Sequence, residues 1–433
     1  MCNFSSKVRS KLFSVISEMN SISWLFAKNP GRDFTRKSPL SFENMLKLMI
    51  SMEGQSIHKE MYNFMGFKIN TPSTSAFVQQ RAKIDISAFQ YLFQEFSESF
   101  RTSKTVSGYE LLAVDGSDIH TPTNPNDDDS YFQTSEDSKG YNLFHMNALY
   151  NLLDKRYVDV IVQPRRAFNE HKALCDMIDS AKPRNKVIVI ADRGYEGYNT
   201  IAHIEQKGWN YLIRVKNNKG IVAQLSLPDN DEFDVDINLT LTRRQTNEVK
   251  ENPDKFRTIM SNMTFDFLPP RSKNTYPLNF RLVRLRLSND TVETLVTNLD
   301  RNIFSADALK KLYKMRWGIE TSFREIKYNV GLSNFHSKKA DFILQEIYAR
   351  LIMYNFSMII AMNVCVQQNN KVYVYQINYA EAIYICKHFI RNKESPQNIE
   401  ALIARNILPV RPDRKYIRNI RYQSAVSFIY RVA

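Results

Sequence analysis

The amino-acid sequence predicts an α/β fold in which a sheet is interrupted by a β-rich segment, with helical regions at both ends of the chain. Between residues 105 and 216, short β-rich runs alternate with runs of helical periodicity. The helical signals stop after residue 216 and return only after residue 290, which indicates an insertion. The predicted regions are a helical N-terminal domain (1–104), a first part of the core (105–216), a β-rich insertion (217–290), a second part of the core (291–345) and a helical, basic C-terminal region (346–433).

The N-terminal region shows helical periodicity in four short runs between residues 39 and 100. Gly66 and Pro72 separate two of these runs, and the second of the two carries Gln79 and Arg81. Two short helices joined by such a turn could form a helix-turn-helix that contacts DNA through Gln79 and Arg81. A helical scaffold with ordinary polar surface residues explains the same spacing equally well.

The first part of the core contains five predicted strands. Their sequences are ELLAVDGSDI, NLFHMNALYNLL, YVDVIVQPR, KVIVIADRGY and NYLIRVKN. One helical run lies between the third and fourth strands, and another lies between the fourth and fifth. This order predicts an α/β sheet with helical crossover connections.

The insertion contains three predicted strands, with the sequences FDVDINLTLTRRQ, TIMSNMTFDFL and NFRLVRLRLS. The strand ETLVTNL then returns the chain to the core and precedes a long helical run, SADALKKLYKMRWGIETSFREIKYNVG. The tail from Lys387 onward holds ten Lys and Arg against three acidic residues. Such a tail can follow a phosphate backbone, although a solvated face is the commoner explanation.

The overall charge points to a polyanionic partner. Fifty-nine Lys and Arg against 45 Asp and Glu give a formal charge of +14. Nucleic acid is therefore the first candidate partner, and an anionic membrane surface or plain solubility are the alternatives.

The four cysteines show no paired spacing, which argues against a disulfide framework or a cysteine zinc site and fits a reducing cytoplasm. The longest apolar run, residues 342–366, is interrupted by Gln345, Glu346 and Arg350 and predicts a buried helix, not a membrane span.

The helical run after the last core strand combines an apolar face with a polar one. Tyr313, Arg316, Glu320 and Lys327 fall on one face of a regular helix. The residues expected to pack on the sheet are Leu312, Met315, Ile319, Phe323, Ile326 and Val330. Taken alone, Arg316 and Glu320 could be a surface ion pair that stabilises the helix by a few tenths of a kcal/mol.

Two aspartates give this helix a chemical context. Asp115 and Asp192 each follow an apolar strand sequence, and each is expected at the C-terminal end of its strand. Carboxylates at the ends of buried strands are usually paired or metal-bound. Together with Glu320 they describe a site of oxygen ligands for a hard cation such as Mg²⁺. Two such ions would activate the attacking oxygen and stabilise the leaving oxygen in phosphoryl transfer on DNA.

These residues resemble the bacterial insertion-sequence transposases that carry an Asp-Asp-Glu catalytic triad and a Tyr-Arg-Glu-Lys signature. The signature has the form Y-x2-R-x3-E-x6-K, which Tyr313, Arg316, Glu320 and Lys327 reproduce without a gap. VDGSD around Asp115 and ADRGY around Asp192 strengthen the similarity. The resemblance implies a ribonuclease-H-like core in which Asp115, Asp192 and Glu320 bind two Mg²⁺ or Mn²⁺ ions.

The resemblance also implies a substrate and an assembly. Members of this kind act on double-stranded DNA: they bind terminal inverted repeats, cleave the DNA ends and join the 3′ ends to target DNA, as dimers on paired ends. Tyr313, Arg316 and Lys327 would hold phosphates. The remaining candidates for DNA contact are Trp317, Arg324, Gln79, Arg81 and Arg193, although Arg193 is equally suited to pairing with the carboxylates.

One feature departs from the family pattern, and two other functions stay open. Residues 217–296 contain no tryptophan to stack a flipped base, so Tyr276 or Phe280 is expected to substitute.

Two alternatives to an active transposase stay open. One is a catalytically inactive, transposase-derived DNA-binding regulator, and the other is a structure-selective nuclease without strand transfer. In each case we expect a bacterial cytoplasmic protein that associates with the nucleoid and not with a membrane.

Overall fold

The computed structural model describes residues 4–101, 104–133, 135, 140–182, 184, 186–217, 219–286, 292–368, 373–391, 398–410 and 429–430. Within these ranges, no helix combines the length and the apolar composition needed to cross a bilayer. Most of the basic tail after residue 410 lies outside the described residues, so the prediction that it follows a phosphate backbone stays a prediction.

The N-terminal region is helical, as predicted. Its helices are α1 (Phe4–Ser21), α2 (Phe42–Ser51), α3 (Ile57–Met65), α4 (Thr74–Arg81) and α5 (Ile86–Glu98). The side chains of Ser41, Ser73 and Asp85 accept hydrogen bonds from the first turns of α2, α4 and α5 and so fix where these helices begin. Gly66 ends α3 in the left-handed conformation, which glycine adopts without a steric penalty.

A mixed sheet forms the centre of the protein, and ten strands of the described chain belong to it. The strands are β1 (Glu110–Thr121), β2 (Tyr131–Phe132), β3 (Tyr141–Asn151), β4 (Arg156–Pro164), β5 (Val187–Ala191), β6 (Asn210–Val215), β7 (Phe233–Thr242), β8 (Phe256–Thr258), β9 (Thr275–Arg286) and β10 (Val292–Thr297). The helices between them are α6 (Glu170–Ser180), α7 (Tyr198–Gln206) and α8 (Asn247–Glu251).

The strand order is β2-β3-β1-β5-β6-β10-β9-β7-β8, with β4 also paired to β3. Strands β1, β3 and β4 are antiparallel neighbours, whereas β1, β5 and β6 run parallel. The helices α6 and α7 make the connections that lead into β5 and β6. The three predicted strands and the two predicted crossovers are therefore present, and the short strand β2, which lies between β1 and β3 along the chain, was not predicted.

The strands of the β-rich insertion continue the core sheet. Strand β10 pairs with β6 on one side and with β9 on the other, and β9 pairs with β7. The insertion thus extends the core sheet by hydrogen bonding across the predicted boundary at residue 290. The predicted strand 258–268 is also wrong beyond Thr258, because the Arg243 guanidinium donates to the carbonyls of Met260, Met263 and Leu268 and holds this segment in turns.

The signature helix is divided into segments of different winding. It consists of α9 (Ala306–Met315), α10 (Trp317–Arg324) and a π-helical segment (Glu325–Val330). The winding tightens at Arg316, whose N–H donates to the carbonyl of Tyr313 at 3.0 Å. Met315, the last residue of α9 before this turn, is exposed, which corrects its predicted place in the core, while the other five predicted apolar residues are buried.

The C-terminal region shares its core with the N-terminal helices. Its helices are α11 (Ala340–Ala361), α12 (Tyr379–Arg391) and α13 (Ile399–Arg405), with the short strands β11 (Asn334–Phe335), β12 (Tyr375–Ile377), β13 (Ile407–Pro409) and β14 (Ile429–Tyr430). Helix α11 is buried along most of its length, as predicted, and packs on α2, α5 and α12. It runs across the predicted boundary at residue 345, because its contacts continue without interruption on both sides of that point.

The two faces of the sheet carry two apolar cores. Alternate residues of each parallel strand enter different cores: Leu111 and Ile190 pack with α5 and α11, whereas Leu112 and Val189 pack with α6 and α7. The sheet therefore separates the helices of the two chain ends from the crossover helices. Between these layers, β1 and β5 run side by side up to the pair Val114–Ala191.

Candidate active site

Asp115 and Asp192 lie side by side where strands β1 and β5 separate. Val114 and Ala191 form the last parallel pair, so the next residue of each strand is an aspartate. The structure corrects one detail, since Asp115 lies inside β1 and not at its end: β1 continues to Thr121 along β3. Asp115 is nevertheless at the point where β1 leaves β5, which brings the two carboxylates to one place.

The signature helix contacts both aspartates. The Arg316 side chain is only 5% exposed; its Nη2 lies 2.9 Å from Glu320 Oε1 and its Nη1 lies 3.6 Å from Asp115 Oδ2. The Tyr313 hydroxyl donates to Asp192 Oδ1 at 3.3 Å. The Arg316–Glu320 pair is therefore not an isolated surface ion pair, because the same guanidinium also faces a carboxylate of the sheet.

Asp192 has a second cationic partner that the sequence reasoning missed. Arg214 on β6 donates from Nε to Asp192 Oδ1 at 2.7 Å, and its Nη1 lies 2.8 Å from Glu293 Oε1. Burial raises the pKa of Asp192, but the Arg193 N–H and the charges of Arg214 and Arg316 outweigh it and lower the pKa overall. An arginine inside the apolar strand NYLIRV was the available signal.

Asp115 has the opposite titration behaviour. Burial raises its pKa to about 6, and the negative charges of Glu320 and Asp192 act in the same direction, against the Gly116 N–H and Arg316. The three carboxylates therefore interact electrostatically. Among the described residues, no group of three His, Cys, Asp or Glu side chains lies close enough together to hold a metal ion.

Lys327 contacts the segment of β1 that follows Asp115. Its Nζ donates to Ser117 Oγ at 2.7 Å and to the carbonyl of Asp118 at 2.8 Å. Burial lowers the pKa of this amine. The signature lysine thus connects the π-helical segment to β1, close to the carboxylates.

His145 holds the same segment of β1 from the other side. It lies opposite Asp118 in the β1–β3 pairing, and its Nδ1 lies 2.7 Å from Asp118 Oδ1 while its Nε2 lies 2.9 Å from Glu170 Oε1. Burial lowers the pKa of His145, but hydrogen bonds to the two carboxylates raise it to about 9. The sequence places His145 near the first two strands and favours a packing role for it. Its contacts with Asp118 and Glu170 were not predicted, because they depend on the register between β1 and β3.

The other predicted DNA contacts divide into accessible and inaccessible residues. Arg193, Arg324 and Gln79 are exposed, and Trp317 is 52% exposed beside Arg316, whose guanidinium carbon lies 5.3 Å from the indole centroid. The structure contradicts the prediction that Arg81 contacts DNA. It is only 1% exposed and pairs with Glu346 at 2.8 Å, so it stabilises the contact between α4 and α11 and is not available to DNA.

The aromatic residues proposed to replace an insertion tryptophan are also packed. Phe280 is buried in the core and cannot stack a base, which corrects that expectation. Tyr276 is partly buried and contacts the rings of Phe265 and Phe267. Among the aromatic residues considered, Trp317 is the one that combines large exposure with a position next to the carboxylates.

The chain is similar to known transposases. Residues 106–356 match the transposase DDE domain family. Over 194 residues the chain is 22% identical to the transposase for insertion sequence element IS1151 of Clostridium perfringens, and the match covers 39% of this chain and 40% of that protein, less than half of its length. A cryo-EM structure of the piggyBac transposase synaptic complex with hairpin DNA has a TM-score of 0.41 at 10% identity, covering 94% of this chain and 84% of that one.

The match to the transposase DDE domain covers the candidate site and most of the chain. The matched residues include Asp115, Asp192, Glu320 and the whole signature segment, and they make up more than half of the chain. The protein belongs to the family of transposases that carry a DDE domain.

Proposed function

We propose that this protein is a DNA transposase of the Tyr-Arg-Glu-Lys signature type with a ribonuclease-H-like core. It binds terminal inverted repeats, cleaves the DNA at the transposon ends and joins the 3′ ends to target DNA in the bacterial cytoplasm. The order of three antiparallel and two parallel neighbouring strands supports the proposed core. The formal charge of +14 supports a DNA partner.

One observation carries the proposal. The signature helix contacts Asp115 and Asp192 through Arg316 and Tyr313, although Asp192 and Tyr313 are 121 positions apart along the chain. A scaffold that only bound DNA would not require two strand carboxylates, a helix glutamate and a buried arginine at one place. Their convergence favours catalysis of phosphoryl transfer.

Asp115, Asp192 and Glu320 would hold two Mg²⁺ or Mn²⁺ ions. The donor chemistry fits, because hard divalent cations prefer carboxylate oxygens, and the charges of Asp192 and Glu320 act on Asp115. The guanidinium of Arg316, which faces Asp115 and Glu320, is the positive charge that now balances these acids. When bound, the ions would activate the attacking oxygen and stabilise the leaving oxygen of an in-line displacement.

The residues of the chain position the reacting groups. Arg214 and the Arg193 N–H fix the orientation of the Asp192 carboxylate. Arg316 and Lys327 are placed to hold phosphate oxygens, since both are cations beside the carboxylates. Tyr313 offers its hydroxyl at the same place.

The DNA is proposed to extend from this site over an exposed surface. Trp317 would stack a base and Arg324 and Arg193 would contact the backbone, because all three are accessible. Gln79 on α4 would contact DNA farther from the site. We propose a homodimer on paired transposon ends as the active assembly.

The direct test incubates the full-length protein with DNA that carries the terminal repeats of its element and Mg²⁺ or Mn²⁺. Asp192→Asn removes one carboxylate charge while it keeps the side-chain shape, and we expect cleavage and strand joining to decrease by at least about 100-fold. Binding of the same DNA in a gel-shift assay should persist. Asp179→Asn, an exposed acid on α6 that pairs with His203, is the matched control and should retain activity.

The products separate the proposed function from the two alternatives. Cleavage with joined products supports a transposase, whereas cleavage without joining supports a nuclease. Binding without cleavage by the unmodified protein supports a regulator. Full activity of Asp192→Asn would show that the site has been assigned wrongly.

A further inference from the structure

Tyr195 carries a buried hydroxyl without a protein partner at the edge of the candidate active site. The residue is 2% exposed, and its hydroxyl oxygen makes no hydrogen bond within the described part of the chain. Buried hydroxyl groups in folded proteins almost always have a partner, which is often an ordered water molecule. Among the described residues, the Tyr195 hydroxyl is therefore available to an ordered water molecule or another polar ligand.

The surroundings of this hydroxyl are acidic. Tyr195 lies three residues after Asp192, at the end of a short 3₁₀ helix. Burial raises its pKa, and the charges of Glu170, Asp115 and Asp192 raise it further, in that order. The phenol thus lies within electrostatic range of two of the proposed metal ligands and of Glu170.

Two glycines allow Glu170 to approach the same place. A Cβ atom on Gly116 would lie 2.6 Å from Glu170 Oε1, and a Cβ atom on Gly194 would lie 4.0 Å from Glu170 Oε2. Gly116 directly follows Asp115, and Gly194 is two residues after Asp192. The Glu170 carboxylate therefore lies over the backbone beside both aspartates. Its Oε1, the oxygen next to Gly116, also lies 2.9 Å from His145 Nε2, which leaves Oε2 without this contact.

We propose that Glu170 and Tyr195 form an outer ligand shell for a divalent cation held by Asp115 and Asp192. Mg²⁺ keeps several water molecules when it binds to proteins, and polar groups that contact such waters orient them and strengthen binding. The Glu170 carboxylate accepts hydrogen bonds from these waters, and the Tyr195 oxygen accepts one more. This inference rests on the proposed function, because it assumes that the two aspartates bind the cation.

Mn²⁺ affinity of the full-length, DNA-free protein tests this role without an activity assay. Titration with MnCl₂, followed by electron paramagnetic resonance of free Mn²⁺, gives the dissociation constant. We expect Glu170→Gln and Tyr195→Phe each to weaken binding by about 10-fold or more. Asp118→Asn is the control for Glu170, because it removes the other partner of His145 and leaves Glu170 in place; its affinity should stay within about 3-fold of the unmodified protein, well below the outer-ligand effect.

Thermal unfolding of the metal-free variants separates a ligand-binding role from a packing role. Tyr195→Phe removes a hydroxyl that makes no hydrogen bond to any residue that the structure describes, so it should not lower the melting temperature. Tyr198→Phe is the matched control: the Tyr198 hydroxyl donates to the carbonyl of Ile221 at 3.3 Å, so its loss should lower the melting temperature and leave Mn²⁺ affinity unchanged.

The results distinguish this inference from the proposed function. If Asp192→Asn abolishes Mn²⁺ binding while Glu170→Gln and Tyr195→Phe bind like the unmodified protein, the outer shell is wrong and the metal site stands. Equal losses in Asp118→Asn and Glu170→Gln would also overturn the role of Glu170. If the unmodified protein binds no Mn²⁺, both the metal site and the outer shell are wrong.

Discussion

Gly116 shows how a single side chain, or its absence, determines the local geometry beside Asp115. A Cβ atom at this position would lie 2.3 Å from His145 Nε2, closer than non-bonded atoms approach each other. The imidazole cannot easily move away, because Asp118 and Glu170 hold both of its nitrogens. Glycine is therefore required here for space, since its backbone does not adopt a positive φ angle.

We expect Gly116→Ala to lower the free energy of unfolding by about 1–3 kcal/mol, because the added methyl group overlaps with the buried His145 ring and the half-buried Glu170 carboxylate. It should also reduce DNA cleavage, since the displaced segment carries Asp115. Chemical denaturation followed by circular dichroism measures the first effect. Gly197→Ala is the control, because its Cβ would lie at an ordinary 3.4 Å from His171. Equal stability of the two variants would contradict the argument.

Sequence patterns predicted part of the site at the residue scale. The spacing of the signature placed Tyr313 and Arg316 on one helix face, and apolar strands before Asp115 and Asp192 predicted that both belong to the sheet. The contacts of Arg214 and His145 with their carboxylates could not be predicted, because each contact forms only through strand pairing. The sequence shows no more than an arginine inside the apolar strand NYLIRV. A change of register by one residue would turn these side chains to the other face.

At the scale of elements, periodicity predicted most helices and strands but not how they pair. The strand β9 was predicted within the insertion, yet its neighbours are β7 and the core strand β10. Strand pairing joins segments that are far apart along the chain, so the sequence of one strand does not predict which strand it pairs with. The π-helical segment after α10 was missed for a similar reason, since the sequence retains regular helical spacing there.

Strands of the insertion pair with strands of the core, so a substitution that destabilises the insertion should also destabilise the core sheet. Leu282 on β9 is fully buried and lies opposite Val296 of β10. We expect Leu282→Ala to destabilise the protein by about 2–5 kcal/mol and to increase amide hydrogen exchange in β6 as well as in β7. Mass spectrometry of peptides from both strands would detect this.

The control for Leu282→Ala is Val249→Ala on the short helix α8. Val249 is buried but does not belong to the core shared by β6, β7 and β9. Faster exchange in its case should be limited to α8 and the adjacent turn. If Leu282→Ala changed exchange in the insertion alone, the insertion would behave as an independent unit and the interpretation of a shared sheet would be wrong.

At the scale of the whole molecule, a buried ion pair joins the two ends of the chain. Arg81 on α4 contacts Glu346 on α11, and Glu346 also accepts hydrogen bonds from His336. The predicted domain boundaries separated these residues, because composition changes along the chain do not reveal which helices share a core. Buried pairs of this kind strongly destabilise a protein when one partner is removed.

Glu346 makes the stability of this helical layer dependent on pH. Burial raises its pKa, but Arg81 and His336 lower it more, to about 2. Because this value lies below the ordinary 4.5, the ionised carboxylate stabilises the fold above pH 4.5, and this contribution decreases as the pH falls towards 2. Urea unfolding of the unmodified protein and of Glu346→Gln should therefore show a difference in stability that shrinks below pH 4.5.

Asp341→Asn provides the comparison for this pH series. Asp341 forms an exposed pair with Lys28, so its removal should change the free energy of unfolding by no more than about 1 kcal/mol. If the difference in unfolding free energy between the unmodified protein and Glu346→Gln stayed constant from pH 7 to pH 3, Arg81 and His336 would not lower the pKa of Glu346.

The contact between Arg81 and Glu346 spans 265 positions along the chain, and this has a consequence for biosynthesis. At roughly 5–20 residues per second, a ribosome needs on the order of 10–50 s to make the residues between them. During that interval the emerging N-terminal helices lack the helix that covers their apolar faces. Chaperone contacts with the nascent polypeptide should therefore be concentrated on the first hundred residues and end once α11 has left the exit tunnel.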